Sequence, residues 1–274
     1  MAAVALALGA SIAWGLSDFL GGLKARQFAV LWVLLVSQAT GLVLIVIATL
    51  VSGAGLPGAH AALWAAGAGV AEVIGFAALY RALAVGAMSV VAPVSATAAL
   101  VPVIVGVAAG EAPTIFQALG IALALGGAAL ASAEPGNRTA TGVGLAVVAA
   151  LGFGLFFVGM DLAADDGALW ATSINRAASV VLVVGALLVL RPPCSIDRAA
   201  FPPLAAVGAL DIAANAMFAV ALTLGMAAIV SVLGSLYPLA TVVLARAVLG
   251  ERVTGSQRTG VAAALAGIGL VSFA

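Results

Sequence analysis

Residues 110–132, GEAPTIFQALGIALALGGAALAS, and residues 250–272, GERVTGSQRTGVAAALAGIGLVS, are one element written twice. At an offset of 140 they agree at Gly110/Gly250, Glu111/Glu251, Thr114/Thr254, Gln117/Gln257, Gly120/Gly260 and Gly127/Gly267, among 11 identities over 23 positions. Matched Gly, Ala and Leu carry little weight in so apolar a chain, but aligned Glu, Thr and Gln carry much. The duplication extends upstream. At an offset of 139, Ala82-Leu83 falls on Ala221-Leu222, Gly86 on Gly225, Gly15 on Gly154, and Glu72 on Asp211.

What repeats is built for lipid. The 274 residues are 65% hydrophobic and 7% charged, against roughly 45–50% and ~25% in ordinary globular chains. Ten basic residues balance ten acidic ones, which gives nucleic-acid binding no electrostatic support. The single cysteine, Cys194, excludes an intramolecular disulfide and a Cys/His metal cluster. No Gly-rich phosphate loop of the GxxxxGK[ST] type occurs, so no cofactor or ATP site is expected. The opening MAAVALALGASIAWG lacks the basic region of a signal peptide and reads as a retained membrane helix.

A spanning helix needs about 20 mainly apolar residues. Ten such segments are predicted: 2–21, 30–51, 61–83, 89–109, 114–132, 142–160, 170–190, 203–223, 229–249 and 257–273. Their continuous apolar runs lack the period-two alternation of a membrane barrel. The polar connector 133–141 divides the chain into five helices and five, giving repeats 1–133 and 141–274. Because five is odd, the second repeat enters the membrane from the opposite side. The expected fold is therefore an all-α polytopic membrane protein whose ten transmembrane helices form two inverted five-helix repeats. Secondary transporters often have this plan, with substrate bound near the midplane between repeats.

The motifs AWGLSDF, YRALAVGAMSVVAP and GE.PT..QALGIALALGG, restated as ALTLGMAAIVSVLGSLYP and GERVTGSQRTGVAAALAGIG, resemble the EamA-type domain. Two such domains in tandem resemble the drug/metabolite transporter superfamily over nearly the whole chain. The resemblance implies a ten-helix carrier with a central cavity that moves small metabolites, often outward. It also implies that both termini lie in the cytoplasm.

The charges argue the other way. Lys24, Arg26, Arg81, Arg138, Arg191, Arg198, Arg246, Arg252 and Arg258 lie in or beside odd-numbered connectors, and the even-numbered ones carry no Lys or Arg. By the positive-inside rule this places both termini outside. Either way the expected location is the plasma (inner) membrane.

Candidate site residues follow from cost. An Asp, Arg or Lys at a helix centre costs roughly 2.5–3.5 kcal/mol on insertion scales, so it should face a cavity or a partner. Glu72 and Asp211, repeat mates near helix centres, are expected on the translocation path. One would serve substrate or proton and the other would serve structure. Asn175, Arg176 and Asn215 accompany them. Arg176 can pair with Glu72, Asp211 or Asp18, grip a substrate carboxylate, or snorkel to the surface. Trp14 and Asp18 share a face of helix one, each with an interfacial reading as its alternative. Ser235 and Tyr237 join the path from helix nine. Pro93, Pro102 and Pro238 are candidate kinks or hinges. Glu111 and Glu251 are expected to cap the helices that follow them, with Thr114 and Thr254.

The reading is a secondary transporter of small organic metabolites, with amino acids or related zwitterions as the expected cargo, working by alternating access with a coupling proton. Its partners are a small-molecule substrate and the lipid bilayer, with no metal and no nucleic acid. The alternatives are a non-transporting membrane scaffold or an intramembrane enzyme. The latter lacks any Cys/His set.

Overall fold

A computed structural model describes residues 2–108, 114–131, 141–164, 167–194, 196–224, 233, 236–251 and 254–272. Within them the chain is helical and holds no strand. Apolar stretches this long cannot leave backbone groups unpaired in hydrocarbon, and the α-helix pairs them all within one segment. The helices are α1 (Ala2–Ala25), α2 (Val30–Ser52), α3 (Ala59–Val85), α4 (Met88–Ser95), α5 (Leu100–Ala108), α6 (Ile115–Ala131), α7 (Val143–Ala164), α8 (Ala168–Leu190), α9 (Phe201–Leu224), α10 (Tyr237–Leu249) and α11 (Gly255–Ser272). Six of them, α1, α2, α3, α7, α8 and α9, are long and apolar enough to cross a membrane. Large apolar side chains remain exposed on the outside, among them Val43, Ile47, Leu63, Val181 and Leu188. On a water-soluble protein such a surface would be an aggregation liability; here it faces lipid.

The predicted fourth segment is one rod in two pieces. A 3₁₀ turn, Ala96–Ala99, separates α4 from α5, with Pro93 on one side and Pro102 on the other. Pro102 removes the N–H that would have bonded the Ala98 carbonyl. Gly154 of α7 packs against that carbonyl, where a β-carbon would stand 2.9 Å away. Ser95 and Thr97 donate to the Ala92 and Val94 carbonyls at 2.8 and 2.7 Å. Pro238 instead lies in the first turn of α10, where a missing N–H costs nothing.

The packing obeys the repeat. Helix α3 lies on α7 and α1 on α9, and these two pairs are repeat mates; α2 on α8 and α6 on α11 each pair a helix with its own mate. The two α6–α11 glycines reciprocate. Gly127 abuts Ala264 and the Gly260 carbonyl, and Gly267 abuts Ala124 and the Gly120 carbonyl. Across α2 and α8 the register of the repeat is 138. There Trp32 donates its indole N–H to the Pro192 carbonyl at 3.2 Å, and its mate Trp170 donates to the Ala54 carbonyl at 2.9 Å. Each tryptophan near the start of one helix thus bonds just past the end of the other, so the two helices run antiparallel. That is the direct signature of inversion.

Candidate translocation site

Two glycines bring the four central helices together. Gly69 of α3 rests against the backbone of Asn175 on α8, and its mate Gly208 of α9 rests against the backbone of Ser37 on α2. No side chain fits at either contact. Ser179 completes the first by donating to the Gly69 carbonyl at 2.9 Å. These approaches deliver the residues that follow Ser37 and Asn175, Gln38 and Arg176, to the centre, facing Glu72 and Asp211.

Arg176 is 1% exposed, the largest fully buried side chain among the described residues. It does not snorkel. Its Nη2 contacts Asp211 Oδ2 in a short ion-paired hydrogen bond and lies 3.3 Å from Glu72 Oε1, while Nη1 donates to Gln38 Oε1 at 2.5 Å. One guanidinium thereby joins α2, α3, α8 and α9. Of the sequence-based alternatives, pairing with the two repeat-mate acids is the one realised. Arg176 thereby holds both buried carboxylates in place at once. Such a cluster survives burial only when its geometry satisfies the charges, because desolvation costs several kcal/mol per ion.

Satisfaction is incomplete. Glu72 Oε2, Asn175 Nδ2 and Arg176 Nε are buried with no hydrogen-bond partner. The Asn175 amide stands beside the Glu72 carboxyl without completing a bond. Ser37, Gln38, Phe76, Tyr80, Val207, Gly208 and Asp211 line a crevice at the same cluster, too narrow in this conformation to admit a water molecule.

A second group adjoins it on α1. Asp18 is buried within electrostatic reach of Asp211, Tyr80 and Tyr237. It lies two turns before the end of α1 and faces inward. Trp14, one turn earlier, donates to Asn215 Oδ1 at 3.2 Å and packs against Phe218 and Tyr237, with ring centroids 5.3 and 6.3 Å apart. Ser235 lies outside the described residues.

One face of the molecule is closed by charge. The Glu251 carboxylate accepts from Met88 N, Ser89 N and Ser89 Oγ at 3.1, 3.0 and 2.8 Å. It therefore caps α4 of the other repeat rather than the helix that follows it. Arg26 pairs with it at 3.5 Å and donates to the Leu83 and Gly86 carbonyls at the end of α3, both at 3.2 Å. Glu111 lies outside the described residues.

The sequence profile of the EamA-like transporter family matches residues 1–133 and again residues 140–273. The chain belongs to that family. Its site is thus built where the two EamA-like segments meet, each contributing one acid and one α2- or α8-type polar residue. A solved crystal structure superposes with a TM-score of 0.65 over 98% of this EamA-like chain and 95% of the other, at 14% identity; that likeness concerns the fold alone. No curated protein matches.

The structure therefore brings together Trp14, Asp18, Glu72, Asn175, Arg176, Asp211, Asn215 and Tyr237, and adds Gln38. Gln38 had no insertion cost to draw attention to it. A signal was present nonetheless: at an offset of 138 Trp32 falls on Trp170, and Gln38 then falls on Arg176.

Proposed function

We propose that this EamA-like transporter is a secondary carrier of small organic metabolites, working by alternating access about the quartet Gln38, Glu72, Arg176 and Asp211. The observation that carries the reading is Arg176, a buried guanidinium bound by side chains of both repeats. A charged bridge between two inverted halves suits a site that must be exposed alternately to each face. The repeats 1–133 and 141–274 are the moving halves, and the 3₁₀ break beside Pro93 and Pro102 is a place where a rod can flex.

The substrates are amino acids or related zwitterions, carried outward across the plasma (inner) membrane, and the carboxylates supply a route for a coupling proton. The chain carries out no bond chemistry of its own. Lys24, Arg26 and Arg191 share the face closed by Glu251, and the positive-inside rule makes that face cytoplasmic.

The test is uptake of labelled amino acids and other small metabolites by liposomes holding the purified protein, with and without a pH gradient. Uptake above protein-free liposomes that falls on Glu72→Gln with Asp211→Asn supports the carrier. A double variant that transports as well as the parent removes the quartet from the path. Absence of any uptake counts against transport itself and favours a scaffold.

A further inference from the structure

Counting charge at the centre exposes an imbalance. Three carboxylates, Asp18, Glu72 and Asp211, face one base, Arg176, and no other buried base occurs among the described residues. Glu72 and Asp211 share that guanidinium. Asp18 has no basic side chain within ion-pair distance among the described residues, although it is 7% exposed. Unpaired charge at membrane depth is expensive and marks a ligand or ion path.

Arg176 itself is committed. Both terminal nitrogens are bonded, and only Nε remains, facing Gly41 across ordinary contact distance. A substrate carboxylate would have to displace one of the acids to gain a bidentate grip. The acids are not committed in the same way. Glu72 Oε2 is an acceptor with no donor, in a residue 3% exposed. Tyr80 and Tyr237 lie within electrostatic reach of Asp18, and Trp14, one turn back on the same helix, packs its ring against Tyr237. A carboxylate with aromatic side chains in its neighbourhood is the chemistry that holds an ammonium group, through charge and through the ring quadrupole together.

We infer that the carrier recognises its substrate by an ammonium group, received between Asp18 and the Asp211–Glu72 pair beside Trp14 and Tyr237, and that a substrate carboxylate is dispensable. This rests on the carrier reading and narrows its substrate class to organic amines, amino acids included. Arg176 is then a fixed internal counter-ion. It holds two acids in place and leaves the third for the ligand.

The experiment uses wild-type protein in lipid nanodiscs and matched sets of ligands. Each set holds an amine, the amino acid bearing the same side chain, and the acid lacking the amine: 3-methylbutylamine, leucine and 4-methylpentanoate, with parallel sets of smaller and aromatic skeletons. Equilibrium binding and liposome uptake are both measured. In at least one set the amine and amino acid are expected to bind and compete, and the acid to do neither. Asp18→Asn should weaken amine binding by about tenfold or more, the loss of one charged hydrogen-bond partner. Asp18→Glu should retain most of it, and Trp14→Leu should weaken it less than Asp18→Asn does.

The wild-type comparison does not depend on any variant folding. If no amine binds while amino acids or acids are carried, the ammonium site is wrong and the carrier stands. If amine affinity is unchanged in Asp18→Asn, a proton and not the ligand balances that acid, and the inference fails. If amines bind with the expected dependence on Asp18 but nothing is transported, the site stands and the carrier reading falls.

Discussion

Replacing Glu251 with glutamine removes one charge and one acceptor oxygen from the capped start of α4. The carboxylate receives three hydrogen bonds there, two from the backbone amides of Met88 and Ser89 and one from the Ser89 hydroxyl. Bonds to a charged acceptor contribute about 1.5–3 kcal/mol each, against about 0.5–1.5 for neutral pairs. Glutamine keeps a single carbonyl oxygen, so at least one bond is lost and the others weaken. The Arg26 ion pair adds little, because its partners are 29% and 14% exposed and such pairs contribute about 0–1 kcal/mol. Discounting for solvent, we expect the local closure to lose about 2 kcal/mol. The assay is amide hydrogen exchange of the protein in nanodiscs, read over residues 86–92. A loss of that size raises the open population about 30-fold, and exchange should quicken accordingly at Met88 and Ser89, the two amides that donate to the carboxylate. A change below about threefold at those amides would refute the assignment of Glu251 as the latch of this face.

Other perturbations test the centre. Arg176→Met strands Glu72 and Asp211 and should destabilise by about 3–5 kcal/mol in denaturant unfolding, with most of the loss recovered when Glu72→Gln and Asp211→Asn are added. Gly69→Ala forces a methyl into the Asn175 backbone and should cost about 1–3 kcal/mol. Gly67→Ala, with nothing within 4 Å of the new carbon, should be neutral or slightly stabilising in the same measurement. Gly41 is the mate of Ser179, and its missing β-carbon would stand 3.7 Å from the Gly208 carbonyl and 3.9 Å from Arg176 Nε. Gly41→Ser should therefore restore the bond that Ser179 makes to Gly69 and raise thermal stability by about 1 kcal/mol. Unchanged stability would break that symmetry argument.

The rods were legible in the sequence because hydrocarbon permits so few backbone solutions, and the repeat was legible because Glu, Thr and Gln recur at fixed spacing. Glu72, Arg176 and Asp211 could be singled out because each is costly where it lies. Gln38 drew no attention by cost, since a neutral amide costs little, and only the Trp32/Trp170 match pointed to it, because the register changes from 138 to 139 between α2 and α3. Local reasoning also misread Glu251: the nearest helix start after it is its own, whereas its hydrogen bonds go to residues 162 and 163 positions away. Asp18 looked terminal only because its helix was drawn short, to residue 21 instead of Ala25. Contacts made across the repeat axis leave no periodicity, and only the folded chain exposes them.

Gln38 and Arg176 occupy the same place in two halves and touch each other, so the pseudo-two-fold axis runs between them. A homodimer of identical five-helix units would have to present the same residue twice at that point. Two glutamines would leave four carboxylate-bearing positions without a counter-ion; two arginines would press like charges together in a dry interior. Only two halves that differ, as the two repeats of this chain do, can hold one of each. The single guanidinium at the centre is thus a consequence of divergence between the halves, and an assembly of two copies of either half could not reproduce it.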